Sequence, residues 1–220
     1  MMQTVLKQVS NTTLILTLCV VIATGILLLT FSQTSDLIAA NERAYLLKQL
    51  HEVIPVQIHN NDLYEDTFAF HDPALYGIDF PITVYRARRN GQPVALAMTA
   101  IAPDGYSSRI KLMVGVKIDG TITQVRVLDH KETPGLGDGI EIRRSPWINQ
   151  FQHKNLKNPP INEWKVTKDG GKFDQMTSAT ITSRAVVKAV YKTVDYVLKH
   201  HKTLFQNSKD LPNAPMVKNP

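Results

Sequence analysis

Thiol chemistry is nearly absent from this chain: Cys19 is the one cysteine in 220 residues, and it lies in the most apolar stretch. That excludes an internal disulfide and any CxxC redox or zinc site. The seven histidines offer no His-x-x-x-His pair with an acidic partner. His200 and His201 are adjacent on an expected helix, point apart, and suit the negative end of that helix better than a metal. No metal site is therefore expected. Also missing is any dense run of Lys and Arg interleaved with exposed aromatics, so the net charge of +6 does not point to nucleic acid. It fits a protein living against a lipid surface, or ordinary solubility. The sequence has no internal repeat and no low-complexity segment.

Charge is also missing from residues 14–31, LILTLCVVIATGILLLTF, a length that just spans a hydrocarbon core of about 30 Å. The run is longer than the apolar region of a signal peptide, and no small-x-small cleavage site follows promptly. Both points favour an uncleaved anchor. Lys7 and the amino terminus precede it, while Asp36, Glu42, Arg43 and Lys48 follow, a slight bias that puts the N-terminus inside. Residues 1–34 are thus expected to be a cytoplasmic N-terminus and transmembrane anchor, with the bulk of the chain facing the periplasm or the cell exterior. Leu37, Ile38, Ala40, Ala44, Leu47, Leu50 and Ile54 then recur at helical spacing until Pro55, which predicts a helical stalk over 35–55 that docks on the following domain.

Residues 56–80 read as loop with one short element, broken at Asn60-Asn61, Asp72-Pro73 and Tyr76-Gly77. From Ile82 the apolar period becomes two. ITVYRARR, PVALAMTAI, RIKLMVGVKI and TITQVRVLDH form four strand-like runs. Asn90-Gly91 and Asp119-Gly120 are the pairs that accept positive φ in tight type I′ turns, and APDGYSS is a longer joint between the two hairpins. A four-stranded antiparallel meander needs a cover. The stripe Ala185, Val186, Ala189, Val190, Val194, Val197 and Leu198 supplies one, on a helix expected from Ser183 to about His201 with Thr182 or Ser183 as N-cap. The fold class is α+β: antiparallel hairpins packed on helices in a domain over 56–205, then a flexible tail over 206–220.

Between meander and helix, HKETPGLGDGIE gathers Pro134, Gly135, Gly137 and Gly139, so backbone can approach something flat without Cβ interference. The third glycine and the βαβ setting of a dinucleotide loop are missing. His130, Glu132, Asp138 and Glu141 offer acids and bases but no positioned nucleophile, and carboxylates beside glycines commonly stabilise turns. Arg144-Ser145-Pro146-Trp147 reads as a capped helix start reaching about Phe151, and the stretch from Asn158 to Gln175 as loop, short strand and Gly-Gly turn. Asp174-Gln-Met-Thr-Ser-Ala-Thr180 runs into the last helix, whose first turn has unpaired N–H groups and a partial positive charge suited to a phosphate. There the hydroxyls either only cap the helix or hold a phosphate, freely or as an ester on Thr180. A glycine-rich loop able to lie against a ring and a helix entrance able to hold a phosphate together suit flavin mononucleotide.

DQMTSAT resembles the flavinylation signature Asp-x-x-Ser/Thr-Gly-Ala-Thr/Ser, in which a flavin transferase of the ApbE type joins FMN to the last hydroxyl, with FAD as donor. Asp174, Thr177, Ala179 and Thr180 match, while Ser178 stands where the signature has a glycine, a residue that allows positive φ. TAIAPDGYSSRIKLMVGV, HKETPGLGDGIE and WKVTKDGGKFDQMTSATITSRAVVKAV look like the G subunit of the Rnf/Rsx electron-transport complex, in the same order and at similar spacing. The likeness covers nearly the whole chain. The related C subunit of the sodium-pumping NADH:quinone oxidoreductase fits the loops less well.

The resemblance implies a subunit anchored in the bacterial inner membrane with its soluble domain on the periplasmic side and one covalent FMN on Thr180, relaying electrons within a ferredoxin:NAD or NADH-linked ion-translocating complex, beside other membrane subunits. Thr180 is then an attachment point, and no residue is catalytic. The expected flavin contacts are Asp174, Thr177, Ser178, Ala179 and Thr182 at the helix entrance, with Thr133, Pro134, Gly135, Leu136 and Gly137 in the glycine loop. Lys168 and Lys172 are either solvated turn lysines or positive charges near the phosphate. The competing readings are a cofactor-free anchored scaffold and a noncovalent flavin or nucleotide binder.

Overall fold

A computed structural model describes residues 2–206, so the tail expected at 206–220 lies, beyond Gln206, outside the described residues. The chain divides into two compact units, parted between Leu46 and Leu47. The first belongs to helix α1 (Met2–Val53). Its large apolar side chains between Leu14 and Phe31 stand exposed, on a helix long and apolar enough to cross a membrane. The stalk stripe keeps its helical spacing, but Leu37 and Ile38 are exposed and only Leu50, Val53 and Ile54, in the second unit, are buried. Pro55, with no N–H to donate and a ring that cannot continue the helix, ends it.

The second unit is built on a five-stranded antiparallel sheet in simple sequence order, β1 (Thr67–His71), β2 (Pro81–Arg89), β3 (Gln92–Ala102), β4 (Ile110–Lys117) and β5 (Ile122–Asp129). The four expected strands are β2 to β5. The fifth, β1, lies at the edge, in the stretch read as loop; it is five residues long and pairs only with β2. The two breakers beside it are the ends of one short helix, α2 (Pro73–Tyr76). Asp72 accepts from the Ala74 N–H, Pro73 opens the first turn, and Gly77 closes it at φ 83°.

Asn90 and Gly91 both take positive φ, 53° and 78°, as the first hairpin turn requires. The second turn differs from the expectation. Among its residues only Gly120 is left-handed, at φ 83°; the Lys117 N–H donates to Thr121 O and the Gly120 N–H to Lys117 O, both at 2.9 Å. That is a three-residue loop in which the glycine forms a bulge, stabilised because Thr121 N–H reaches the Asp119 carboxylate at 2.8 Å.

One face of the sheet is covered by α3 (Thr180–Phe205), which packs across β3 and β4. Leu96, Met98 and Ala100 from β3 and Leu112, Val114 and Val116 from β4 meet a core that includes Val186, Val190, Val194 and Val197. The helix therefore uses the stripe read from its sequence, but it begins earlier. Ala179 is its N-cap residue, with φ −132° and a methyl side chain that cannot accept a capping bond, while the hydroxyls of Thr182 and Ser183 are engaged elsewhere and buried inside the first turn. The expected cap at Ser145 is present: its Oγ accepts from the Trp147 N–H at 3.0 Å and opens a 3₁₀ helix over Pro146–Phe151. Residues 161–173 hold two short 3₁₀ turns and a bridge from Val166 to Phe173 in place of the expected short strand.

Candidate functional site

Glu132 follows β5 and is 4% exposed. Its carboxylate accepts from the backbone N–H groups of Ser107, at 3.0 Å, and Tyr106, at 3.3 Å. It also accepts a short hydrogen bond from the Thr182 hydroxyl. Three segments far apart in sequence, the β3–β4 joint, the glycine loop and the first turn of α3, thus converge on one side chain. Two glycines make the convergence possible. A Cβ on Gly137 would sit 2.8 Å from Glu132 Cβ and 3.2 Å from Thr182 Oγ1, and one on Gly105 would sit 2.0 Å from Ser108 O.

The glycine loop is held by its own polar groups. Leu136 and Gly137 N–H donate to Thr133 O at 3.1 and 3.0 Å, and Gly135, at φ 77°, donates to the Asp138 carboxylate at 2.8 Å. His130 Nδ1 accepts from the Glu132 N–H at 3.0 Å, which assigns the ring proton to Nε2, and that nitrogen donates to Glu141 at 2.9 Å. The bond from His130, with help from Arg143, holds the Glu141 carboxyl below its ordinary value. His130, Asp138 and Glu141 are accordingly scaffolding for the loop, while the Glu132 side chain ties the β3–β4 joint to α3.

The approach to α3 is fixed from the other side. Trp147 Nε1 donates to Asp174 O at 2.7 Å, and the Asp174 N–H donates to Gln150 Oε1 at 2.7 Å. Ser183 Oγ accepts from the Met176 N–H at 3.0 Å and donates to Ala179 O at 3.1 Å. Between them Ser178 takes φ 65°, the left-handed region that glycine enters without penalty. Arg184 forks onto Asp169 with both bonds at 2.6 Å, which ties the preceding turn to the helix.

These segments enclose a cleft of about 450 Å³ lined by Tyr106, Glu132, Thr133, Leu136, Gly137 and residues 178–182. Of the expected site residues, Thr133, Leu136, Gly137, Ser178, Ala179, Thr180 and Thr182 come together there. Pro134, Gly135, Asp174 and Thr177 do not line it: the two loop residues shape the turn, and Asp174 acts through its backbone. Lys168 and Lys172 lie on an exposed turn away from the lining. Sequence reading missed Tyr106 and Ile181, and it weighed Glu132 only as an acid, a base or a turn residue. Tyr106 sits in a joint whose Pro, Asp and Gly signal only a turn. Ile181 interrupts the helix stripe as an exposed apolar residue, and that was the available signal.

The cleft suits FMN in size and lining. Its volume falls within the range of about 300–1,000 Å³ usual for cofactor sites. Tyr106, Leu136 and Ile181 are 66%, 48% and 48% exposed, an apolar rim beside a backbone wall at Gly137, as a flat ring needs. The polar end is the N-terminus of a 26-residue helix with no capping side chain, as a phosphate needs. Of the three hydroxyls in the first turn, those of Thr182 and Ser183 are committed. Thr180 lines the cleft, and its hydroxyl has no protein partner among the described residues. The residues fit the group.

Comparison with known proteins bears on the same segments. Residues 105–195 match the model of an FMN-binding domain, and residues 1–53 match that of the RnfG N-terminal region. The G subunit of an ion-translocating oxidoreductase complex from Vibrio atlanticus is 45% identical over 90% of this chain and 95% of its own length. The chain belongs to the family of Rnf G subunits. The corresponding G subunit of Shewanella oneidensis is 44% identical over 87% of this chain and 91% of its own. Shewanella oneidensis NqrC superposes with a TM-score of 0.46 at 21% identity, over 66% of this chain and 73% of that one. The cleft lies within the matched FMN-binding domain, which runs from just before Tyr106 to well beyond Thr182. This Rnf G subunit therefore has an N-terminal apolar helix of the length a single-pass anchor needs, followed by an FMN-binding domain on an antiparallel sheet.

Proposed function

We propose that this Rnf G subunit carries one FMN as a phosphoester on Thr180 and relays electrons within an ion-translocating complex of the ferredoxin:NAD type. The observation that carries the proposal is the uncommitted Thr180 hydroxyl, in the first turn of an uncapped helix and in the wall of a ring-sized cleft. Bound FMN supplies the electron chemistry. The chain's residues hold and orient it: the N–H groups at the start of α3 face the phosphate, the helix dipole adds about 0.3–1 kcal/mol of attraction for an anion, and Tyr106, Leu136 and Ile181 offer an apolar rim to the ring. Asp174 and Thr177 serve in recognition by a flavin transferase of the ApbE type, which makes the ester from FAD. Their exposure, outside the cleft, suits contact with an enzyme better than contact with a ring.

Residues 14–31 anchor the chain in a bacterial inner membrane beside the other membrane subunits, with the FMN-binding domain on the periplasmic side. The support is the uncharged span and the slight positive bias before it. The test is intact mass, with in-gel flavin fluorescence under denaturing conditions, after co-expression with a flavin transferase. The wild-type chain gains one FMN and fluoresces, and Thr180→Val does neither. A fluorescent Thr180→Val band refutes the attachment site. Colour that is lost on denaturation identifies a noncovalent flavin protein.

A further inference from the structure

Carboxylates buried as deeply as Glu132 are ordinarily paired with a cation or a metal, because removing a charge from water is costly. Glu132 has neither among the described residues. Its partners are two backbone N–H groups and one hydroxyl, all neutral. A clamp between the β3–β4 joint and α3 needs acceptors, which a neutral amide also provides in part. The negative charge is surplus to the clamp, and it stands in the wall of the cleft.

We propose that Glu132 is a positioning and tuning residue whose negative charge lowers the reduction potential of the group held in the cleft, an inference that rests on the FMN reading. A fixed anion in surroundings less polar than water disfavours each added electron that is not matched by a proton. Neutral hydrogen bonds hold this anion in place without cancelling it, and the absence of a counter-cation among the described residues leaves its field to act on the cleft. Gly137 permits the approach, since any side chain there would meet the Glu132 side chain. The same hydrogen bonds fix the backbone at Tyr106, so one residue both shapes the rim and charges the wall.

The test is a spectroelectrochemical titration of the full-length chain loaded with FMN by co-expression with a flavin transferase, with intact mass recorded on each sample. Glu132→Gln keeps the volume and removes the charge; its midpoint potential moves to more positive values than wild type. Thr182→Val keeps the charge and removes the hydroxyl that disperses it; its midpoint moves to more negative values. Opposite shifts are not what general loosening of the cleft would give. If Glu132→Gln does not load, Thr182→Val alone decides, and an unmoved or more positive midpoint overturns the inference. FMN present by mass with an unmoved Glu132→Gln potential overturns the inference and leaves the FMN reading standing. No FMN on the wild-type chain overturns both.

Discussion

Thr123 Oγ1 donates to the carbonyl of Val53 at 2.6 Å, a buried bond that ties the last turn of α1 to β5. The final carbonyls of a helix have no partner within it, so this hydroxyl satisfies a group that would otherwise be buried and unpaired. Thr123→Val keeps the shape and removes the donor. It is expected to lower stability by about 1–3 kcal/mol, the penalty for an unsatisfied buried acceptor. Thermal unfolding of the full chain in detergent measures it, and an unchanged midpoint would show that water replaces the hydroxyl. Gly115 sits at the same joint, where a Cβ would stand 2.6 Å from Val53.

Ser178 carries the second prediction. It holds φ 65° at the position where the flavinylation signature has glycine. A left-handed residue with a Cβ is disfavoured by about 1–2 kcal/mol, and part of that gain is returned when glycine loosens the unfolded chain. Ser178→Gly should raise the melting temperature modestly and leave FMN loading at or above the wild-type level. Ser178→Val, β-branched in the same conformation, should lower stability by about 1–3 kcal/mol. A stabilised valine variant would mean that the turn is not left-handed in solution.

Much of this architecture could be read in advance because it is periodic. The meander, the α3 stripe and the uncharged span announce themselves by repeats of two, of 3.6, or by length. What escaped was decided by partners distant in sequence. Thr182 looked like a cap, yet its hydroxyl is claimed by a glutamate fifty residues earlier. Glu132 looked like a turn residue because nothing local marks it as the meeting point of three segments. Strand β1 was hidden because five residues at a sheet edge take their order from β2 rather than from their own pattern. The Thr180 hydroxyl was legible as a candidate, but that it has no partner among the described residues is a property of the fold.

Gly137 should tolerate no substitution. Alanine there brings a methyl within 2.8 Å of Glu132 Cβ and 3.2 Å of Thr182 Oγ1, and these are packed side-chain bases rather than flexible ends. Overpacking of this kind costs about 1–3 kcal/mol. Gly137→Ala is expected to melt earlier and to take up less FMN. Gly135→Ala, where the space is open but φ is 77°, should lose stability through strain while leaving the cleft wall in place. Comparing FMN stoichiometry by intact mass separates the two, and equal loading in both variants would count against the close approach at Gly137.

The loop that bears these glycines has an acid-sensitive tie. Glu141 is joined to His130 at 2.9 Å and to Arg143 at 3.1 Å, and the bond from His130 is the main reason its carboxyl lies below the ordinary value of 4.5. With the folded-state value depressed, the unfolded chain binds the proton more readily. The stabilisation is therefore complete above about 4.5 and is lost as the pH falls through the lower folded-state value. Glu141→Gln cannot titrate, so it lacks this contribution at neutral pH and has nothing to lose on acidification. Melting curves taken from neutral pH down through the carboxylate range should show the wild type more stable than Glu141→Gln at the start and the gap closing at the acid end. A gap that stays constant across the range would mean that the glutamine keeps the same hydrogen bonds and that the charge of Glu141 contributes nothing.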